Sequence, residues 1–447
     1  MPDWYPLSFD STGTPLFPDQ IDGPDGIASA LTGQPDNPVT DLWILSYGWN
    51  TSVEGGDAFY KIWVDLLRSQ IQQSNPPNAY PMFIGVYWPS EILADTNNKP
   101  NPAPATATRE NFIQAYRPIF DPERKQDDAV FAQDFGGVYD FIAAPDLTNQ
   151  QQVSAFLATL KKYQQEDPHA DQPVVDNVID TGADALATML TTGINTIFPK
   201  AVGNGLLDFL RVFSFWTMKG RAGTVGANGL APFIASFRAS AAQNNPALRI
   251  HLMGHSFGAK LLTSAVFETA SFPDAPQPVV DTLILLQGAF SQFSFTSNIP
   301  QHQNLTGFYA NVITQGMVTT PVTVIYSLKD LANAILYPIG MAPVLEQAVV
   351  AIPPVDLTQY YKSDEFRGSI GANGVQGFED AQMFLAKLPW PGIDQNTLNT
   401  ISCINVNRTP FFDPKLNDPL IGIHNDYQEP DIFQAAVAIS QLTPGNV

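Results

Sequence analysis

Residues 249 to 260, RIHLMGHSFGAK, bring a serine, two histidines and two glycines into twelve positions. Within them Gly254-His255-Ser256-Phe257-Gly258 fits G-x-S-x-G, the pattern of a serine raised on a sharp strand-to-helix turn. This composition produces the pattern by chance in about one such chain in eight, so the pentapeptide alone leaves Ser256 open between a nucleophile and a small residue in an ordinary turn. The flanks favour the nucleophile. An apolar strand, RIHLMG, runs straight into Gly254, and AKLLTSAVFETA begins a helix directly after Gly258. A turn this tight strains the backbone at the serine and leaves no room for a side chain two positions away on either side, where both residues are glycine. It also lifts the hydroxyl above the sheet edge and aims the amino end of the next helix at any anion formed there.

A serine hydroxyl needs a general base within hydrogen-bond reach to act near neutral pH, and the chain has five histidines. His255 adjoins the serine and is badly placed to fold back onto it. His251 lies within a strand, where a buried, hydrogen-bonded ring is expected, and His169 and His302 sit in polar loops. His424 follows the last apolar strand and precedes a periodic helix starting near Asp431, where a loop overhangs the carboxyl edge of a sheet; it is the candidate base. The base in turn needs a carboxylate to set its tautomer and stabilise the imidazolium. From Thr282 to Lys329 this acidic chain has no Asp or Glu, and Asp330 then follows the strand PVTVIYS directly. Asp330 is the candidate acid, with a helix N-cap for the LANAIL segment as its plainer role. Asp426, two residues beyond His424, is the rival, although in an extended loop such a neighbour points away.

The elements that must position these residues are short apolar runs: DLWILSY (41–47), MFIGVYW (82–88), RIHLMG (249–254), DTLILLQG (281–288), PVTVIYS (321–327) and ISCINVN (401–407). AFYKIWVDLLRSQIQQ (58–73) has helical periodicity, and RAGTVGANGLAPFIASFRASAAQ (221–243) reads as the helix packing just before RIHLMG, with glycines that allow close approach to a neighbour. Continuously apolar strands alternating with helices predict an α/β protein with a mostly parallel sheet covered on both faces. The rhythm breaks after Ser90. Residues 96–219 read as a helical insertion that starts in NNKPNPAPATAT and holds VSAFLATLKKY (153–163) and NGLLDFLRVFSFW (204–216), while 1–95 and 220–447 read as the core domain. The expected place for the insertion is a cap over the carboxyl edge, since open α/β sheets carry their sites there.

With 22 Lys plus Arg against 43 Asp plus Glu, the net charge of −21 disfavours nucleic acid and anionic membrane surfaces as partners. Cys403 is the one cysteine, which excludes an internal disulfide and a cysteine-based zinc cage and suits a reducing compartment. MPDWYPLSFD lacks a signal peptide's basic start and apolar run, and no stretch of about 18 apolar residues occurs, so the expectation is a cytoplasmic protein without stable membrane insertion. The glycines near 223–229 lack the lysine and serine of a phosphate loop. No metal or organic cofactor is expected.

The order Ser256, Asp330, His424 along these strands resembles the α/β-hydrolase superfamily, and the match covers most of the chain outside the insertion. It is most similar to a branch of serine hydrolases of largely unassigned substrate, whose first core strand ends in an HGWN-like turn, followed by WPS after the next strand, GHSFGA at the elbow and HxD near the end. The corresponding segments are LSYGWNTS (45–52), YWPSE (87–91), GHSFGAK (254–260) and HND (424–426). Tyr47 stands where that turn usually carries histidine. The resemblance implies an oxyanion hole formed by the backbone N–H groups of Trp49 and Phe257, which a side-chain change at position 47 leaves in place. It implies an esterase- or lipase-like hydrolase acting on a small-molecule ester or acyl substrate. Peptidase, thioesterase or acyltransferase chemistry on the same scaffold, and a non-catalytic binding module, are the alternatives. Trp49, Trp88, Phe290 and the aromatic 204–216 segment are candidates for an apolar pocket, with plain core as the commoner fate of such residues.

Overall fold

In the computed structural model of the chain the described residues are 2–23, 25–32, 38–49, 51–74, 76, 79–90, 108–121, 124–144, 146, 149–163, 217–299, 306–337, 368–408 and 422–442. Eight strands form one open sheet: β1 (Tyr5–Ser8), β2 (Asp41–Ser46), β3 (Pro81–Tyr87), β4 (Arg249–His255), β5 (Thr282–Leu286), β6 (Val322–Tyr326), β7 (Met383–Lys387) and β8 (Cys403–Asn407). Their order is β1-β3-β2-β4-β5-β6-β8-β7, and every neighbouring pair is parallel. All six expected runs are strands. Every residue of β2 and β5 is buried, which requires cover on both faces and explains why these strands show no alternation of polar and apolar residues.

Two strands escape the reading from apolar runs, and both are edges. β1, YPLS, is four residues long with a proline, and β7, MFLAK, is largely half-buried or exposed. An edge strand has one hydrogen-bonding neighbour and less surface to bury, so it carries no continuous apolar signal.

Helix α1 (Val53–Ser74) buries Phe59, Tyr60, Trp63, Val64 and Leu67, spaced to line one face. It starts five residues before its apolar periodicity does, because the Ser52 hydroxyl accepts from Gly55 N at 3.0 Å and Glu54 sits in the first turn. Between β3 and β4, in the segment expected to be an insertion, lie α2 (Arg109–Phe120), α3 (Asp128–Ala143) and α4 (Gln150–Lys162), with aromatic contacts such as Tyr116–Phe135 between α2 and α3 and Phe131 of α3 on Tyr163 just past α4. Residues 217–224 are helical and continue through a π-helical stretch, Val225–Leu230, into α5 (Ala231–Asn244), so the expected junction at 219/220 lies inside one helical run. Gly226 lets this run touch α6 (Phe257–Glu268): a Cβ there would come within 2.2 Å of the Leu261 carbonyl oxygen. The last helix, α7 (Pro430–Ser440), packs on α1, with the Trp63 and Phe433 rings 5.6 Å apart.

This α/β architecture is compatible with the α/β-hydrolase fold. Among the described residues no helix is long and apolar enough to cross a membrane. Leu252 is fully buried in β4, whereas Leu385 on the β7 edge is 65% exposed. Leu252→Ala is therefore expected to cost about 3 kcal/mol in urea unfolding, and Leu385→Ala less than about 0.5 kcal/mol.

Candidate active site

The chain steps outward from β2 to β3, then returns past β2 to β4 and continues in the other direction. Strand ends on either side of such a reversal open a crevice at the carboxyl edge, the usual ligand position in open parallel sheets. The loop after β2 carries Tyr47, Gly48 and Trp49, and the turn after β4 carries Ser256.

Ser256 has φ 56° and ψ −123°, a conformation L-residues rarely adopt, at a cost of about 1–3 kcal/mol. Its neighbours hold it there: Ser256 N donates to Leu286 O at 3.1 Å, and Ser256 O accepts from Ala289 N at 3.2 Å. The elbow glycines have the steric role expected of them. A Cβ on Gly254 would lie 2.7 Å from the Gly258 carbonyl oxygen, and one on Gly258 would lie 2.4 Å from the carbonyl oxygens of both Ser46 and Tyr47.

Opposite this turn, His424 Nε2 lies 3.0 Å from Ser256 Oγ, and its Nδ1 lies 2.9 and 3.0 Å from the two carboxylate oxygens of Asp330. A carboxylate only accepts, so Nδ1 carries the ring proton and Nε2 faces the hydroxyl as an acceptor. Backbone pairing produces the meeting. Residues 422 and 330 form an antiparallel bridge, and Ile423 N donates to Lys329 O at 3.2 Å, which docks the histidine loop on the end of β6. Asp330 also accepts from Asn333 N at 3.0 Å, the N-cap bond of the helical run that begins at Leu331, while its carboxylate faces His424.

Asp426 turns away from the imidazole and pairs with Arg408 at 2.8 Å. His255 holds the loop from below, its Nε2 2.8 Å from the His424 carbonyl oxygen. Burial first, and then the neighbouring His424, push its imidazole well below its ordinary value, so the ring is neutral with its proton on Nε2. His251 is buried in the core at the amino end of the sheet, between Asp41 at 3.0 Å and Thr282 at 3.1 Å, as a strand histidine should be. His169, His302 and the 204–216 segment lie outside the described residues.

The loop expected to supply an oxyanion donor runs hard against the serine: a Cβ on Gly48 would be 2.6 Å from Ser256 Cβ, and the Trp49 and Phe257 rings are 6.0 Å apart. Phe257 is the first residue of α6. Tyr47 explains how the turn is held without a histidine. Its hydroxyl donates to Trp88 O and accepts from Trp88 N, both at 3.1 Å, while Trp88 Nε1 donates to Tyr47 O at 3.2 Å. Ser90 Oγ donates to Thr51 O at 2.9 Å and accepts from Thr51 N at 3.3 Å. The WPS segment is thus a brace for Tyr47 and Thr51, on either side of the Gly48–Trp49 turn. Trp88 and Phe290 are buried core residues, the commoner fate for such side chains.

Two groups at Asp330 were not among the expected site residues. Gln287 Nε2 donates to its Oδ2 at 3.0 Å and Asn333 Nδ2 to the same oxygen at 2.7 Å. The available signal was position alone: Gln287 is the polar residue that ends the DTLILLQ run, and Asn333 stands one helical turn beyond Asp330.

No protein-family model matches the chain, and neither a curated protein nor a solved structure matches it.

Tyr47→Phe leaves the buried Trp88 N–H and C=O without the hydroxyl, and is expected to lower stability by about 1–3 kcal/mol in urea unfolding. His255 sets a pH dependence. Its folded value lies below 6.5, so under acidic conditions the unfolded chain binds a proton that the folded protein refuses. The contribution is complete above that pH and is lost as pH falls, by at most about 1.4 kcal/mol per pH unit. The stability difference between wild type and His255→Gln should accordingly narrow from pH 7 to pH 5 in parallel denaturation series.

Proposed function

We propose that the chain is a serine hydrolase of the α/β-hydrolase type, cleaving a carboxylic ester or related acyl bond through an acyl-enzyme intermediate. The observation that carries this reading is the unbroken hydroxyl–imidazole–carboxylate series, at 3.0 and 2.9 Å, on a strained elbow at the sheet's point of reversal. Ser256 Oγ attacks the carbonyl carbon and its proton passes to His424 Nε2, while Asp330 stabilises the imidazolium. The backbone N–H groups of Trp49 and Phe257 are the proposed oxyanion donors, and the amino end of α6 favours the negative charge. As the tetrahedral species collapses, the bond to the leaving alcohol breaks and His424 returns the proton to that oxygen. Water then attacks the acyl-enzyme by the same route, releasing the acid and restoring Ser256.

The insertion is read as a cap over this edge. Arg221, buried, supports that placement: its Nη1 donates to Pro89 O at 2.8 Å, just past the carboxyl end of β3, and its Nη2 donates to Ile119 O at 2.9 Å near the end of α2. Helix α2 is thereby tied to the loop beyond Trp88. Ser256 itself is only 4% exposed, as expected for a sheltered acyl site.

A fluorophosphonate probe should modify Ser256 in the native protein, read by peptide mass spectrometry. Ser256→Ala should abolish the modification, and His424→Ala should slow acyl transfer from short-chain esters by about 10⁴-fold or more. A native protein that stays unmodified, or is modified at another residue, would contradict the reading and favour a ligand-binding module.

A further inference from the structure

We propose that Gln287, with its amide locked by Arg408, is the positioning residue that fixes how the Asp330 carboxylate meets His424. The inference rests on the serine-hydrolase reading above and extends it to side chains that do not touch the reacting atoms.

Gln287 directly follows β5, is fully buried, and has φ +48°, a left-handed backbone in a residue other than glycine. Strain of this kind persists where the surroundings over-determine it. Its side-chain amide has nearly the same shape either way round, so its partners decide the orientation. Arg408 Nη1 donates to Gln287 Oε1 at 3.0 Å, and a guanidinium has no acceptor to offer. The Nε2 end must therefore face Asp330 Oδ2 at 3.0 Å and the Ile423 carbonyl at 3.2 Å, both of which only accept. Arg408, itself buried, is held by Asp426 at 2.8 Å, by Glu429 at 3.1 Å, and by its own N–H on Tyr326 O at 2.9 Å.

The outcome is a clamp on both sides of His424. Gln287 grips residue 423, Arg408 grips residues 426 and 429, and the two grips are joined to each other. Gln287 also keeps the Arg408 cation one side chain away from Asp330. A guanidinium placed directly on that carboxylate would satisfy the charge that must instead stabilise the imidazolium; a neutral amide orients the carboxylate and leaves its charge for His424. The charged and titratable groups around His424 are Asp330 after β6, His255 at the end of β4, Arg408 after β8, and Asp426, Tyr427 and Glu429 on its own segment.

The test is the second-order rate of fluorophosphonate modification of Ser256 as a function of pH, in the full chain, for wild type, Gln287→Met and Arg408→Lys. Gln287→Met keeps the side-chain length and removes both donor and acceptor. The plateau rate is expected to fall about tenfold. The midpoint of the acidic limb should move upward by about half a unit, because Asp330 loses a donor and its charge bears more fully on the imidazolium. Arg408→Lys keeps the buried charge but cannot serve Gln287, Asp426 and Glu429 together, and should shift the midpoint in the same direction with a smaller loss. A purely structural role would lower the folded fraction and leave the midpoint in place. A folded Gln287→Met protein with wild-type rate and midpoint overturns the inference while leaving the hydrolase reading intact; if that variant does not fold, the same result in Arg408→Lys overturns it. Wild type that is not modified at Ser256 overturns both.

Discussion

A hydroxyl, an imidazole and a carboxylate standing in series at hydrogen-bond distance is the constraint around which this structure is arranged. Ser256, His424 and Asp330 meet at 3.0 and 2.9 Å although they leave three different strands, β4, β8 and β6. Parallel pairing makes this possible, because it brings the carboxyl ends of all these strands to one edge. Neighbouring strands lie about 4.8 Å apart, so β4 and β6, with β5 between them, are separated by about 10 Å. The antiparallel bridge between residues 330 and 422 closes that gap by laying the histidine loop across the strand ends.

Holding the series requires backbone that is unfavourable in isolation. Three non-glycine residues have positive φ among the described residues, and two of them, Ser256 and Gln287, end the adjacent strands β4 and β5. Both are fastened by ladder-like hydrogen bonds that continue the sheet past its last regular residue, Ser256 N to Leu286 O and Gln287 N to Ile325 O. The sheet core behind them is buried on both faces, and this packing offsets the local strain. On the other side of the serine, the aromatic brace of Tyr47 and Trp88 does the same for the Gly48–Trp49 turn.

The amino end of the sheet provides a comparison made from similar residues. There Thr282, His251 and Asp41 also form a hydroxyl–imidazole–carboxylate series, at 3.1 and 3.0 Å. It differs in what surrounds it. Thr282 lies within a regular strand, the ring is sealed in the core beneath Trp43, and Arg249 meets the Asp41 carboxylate directly at 2.6 Å. A carboxylate already matched by a cation has less charge to lend to an imidazolium, and Thr282, 0% exposed within a strand of the sheet core, lacks the position of a residue on a turn at the sheet edge. At the carboxyl edge the donors to Asp330 are neutral amides, the cation is one side chain removed, and the His424 side chain is 12% exposed. The two clusters share residue types and differ in access and charge balance.

Sequence by itself determined the central strands, the helices that follow β2 and β4, and the tight glycine-flanked turn between β4 and α6. These depend on neighbours in the chain: a fully buried strand must be apolar throughout, and a tight turn at Ser256 tolerates only glycine at 254 and 258. Chain order and loop position pointed to His424, and to Asp330 with Asp426 as its rival. Only the tertiary structure decided which carboxylate meets the His424 ring, because that depends on a backbone bridge between segments far apart in sequence and on Arg408 pairing with Asp426. The edge strands β1 and β7, the Tyr47–Trp88 brace and the Gln287–Arg408 link were likewise invisible beforehand. Apolar periodicity records which residues are buried, whereas the meeting of long polar side chains depends on where distant strand ends come to lie, and no local pattern encodes that.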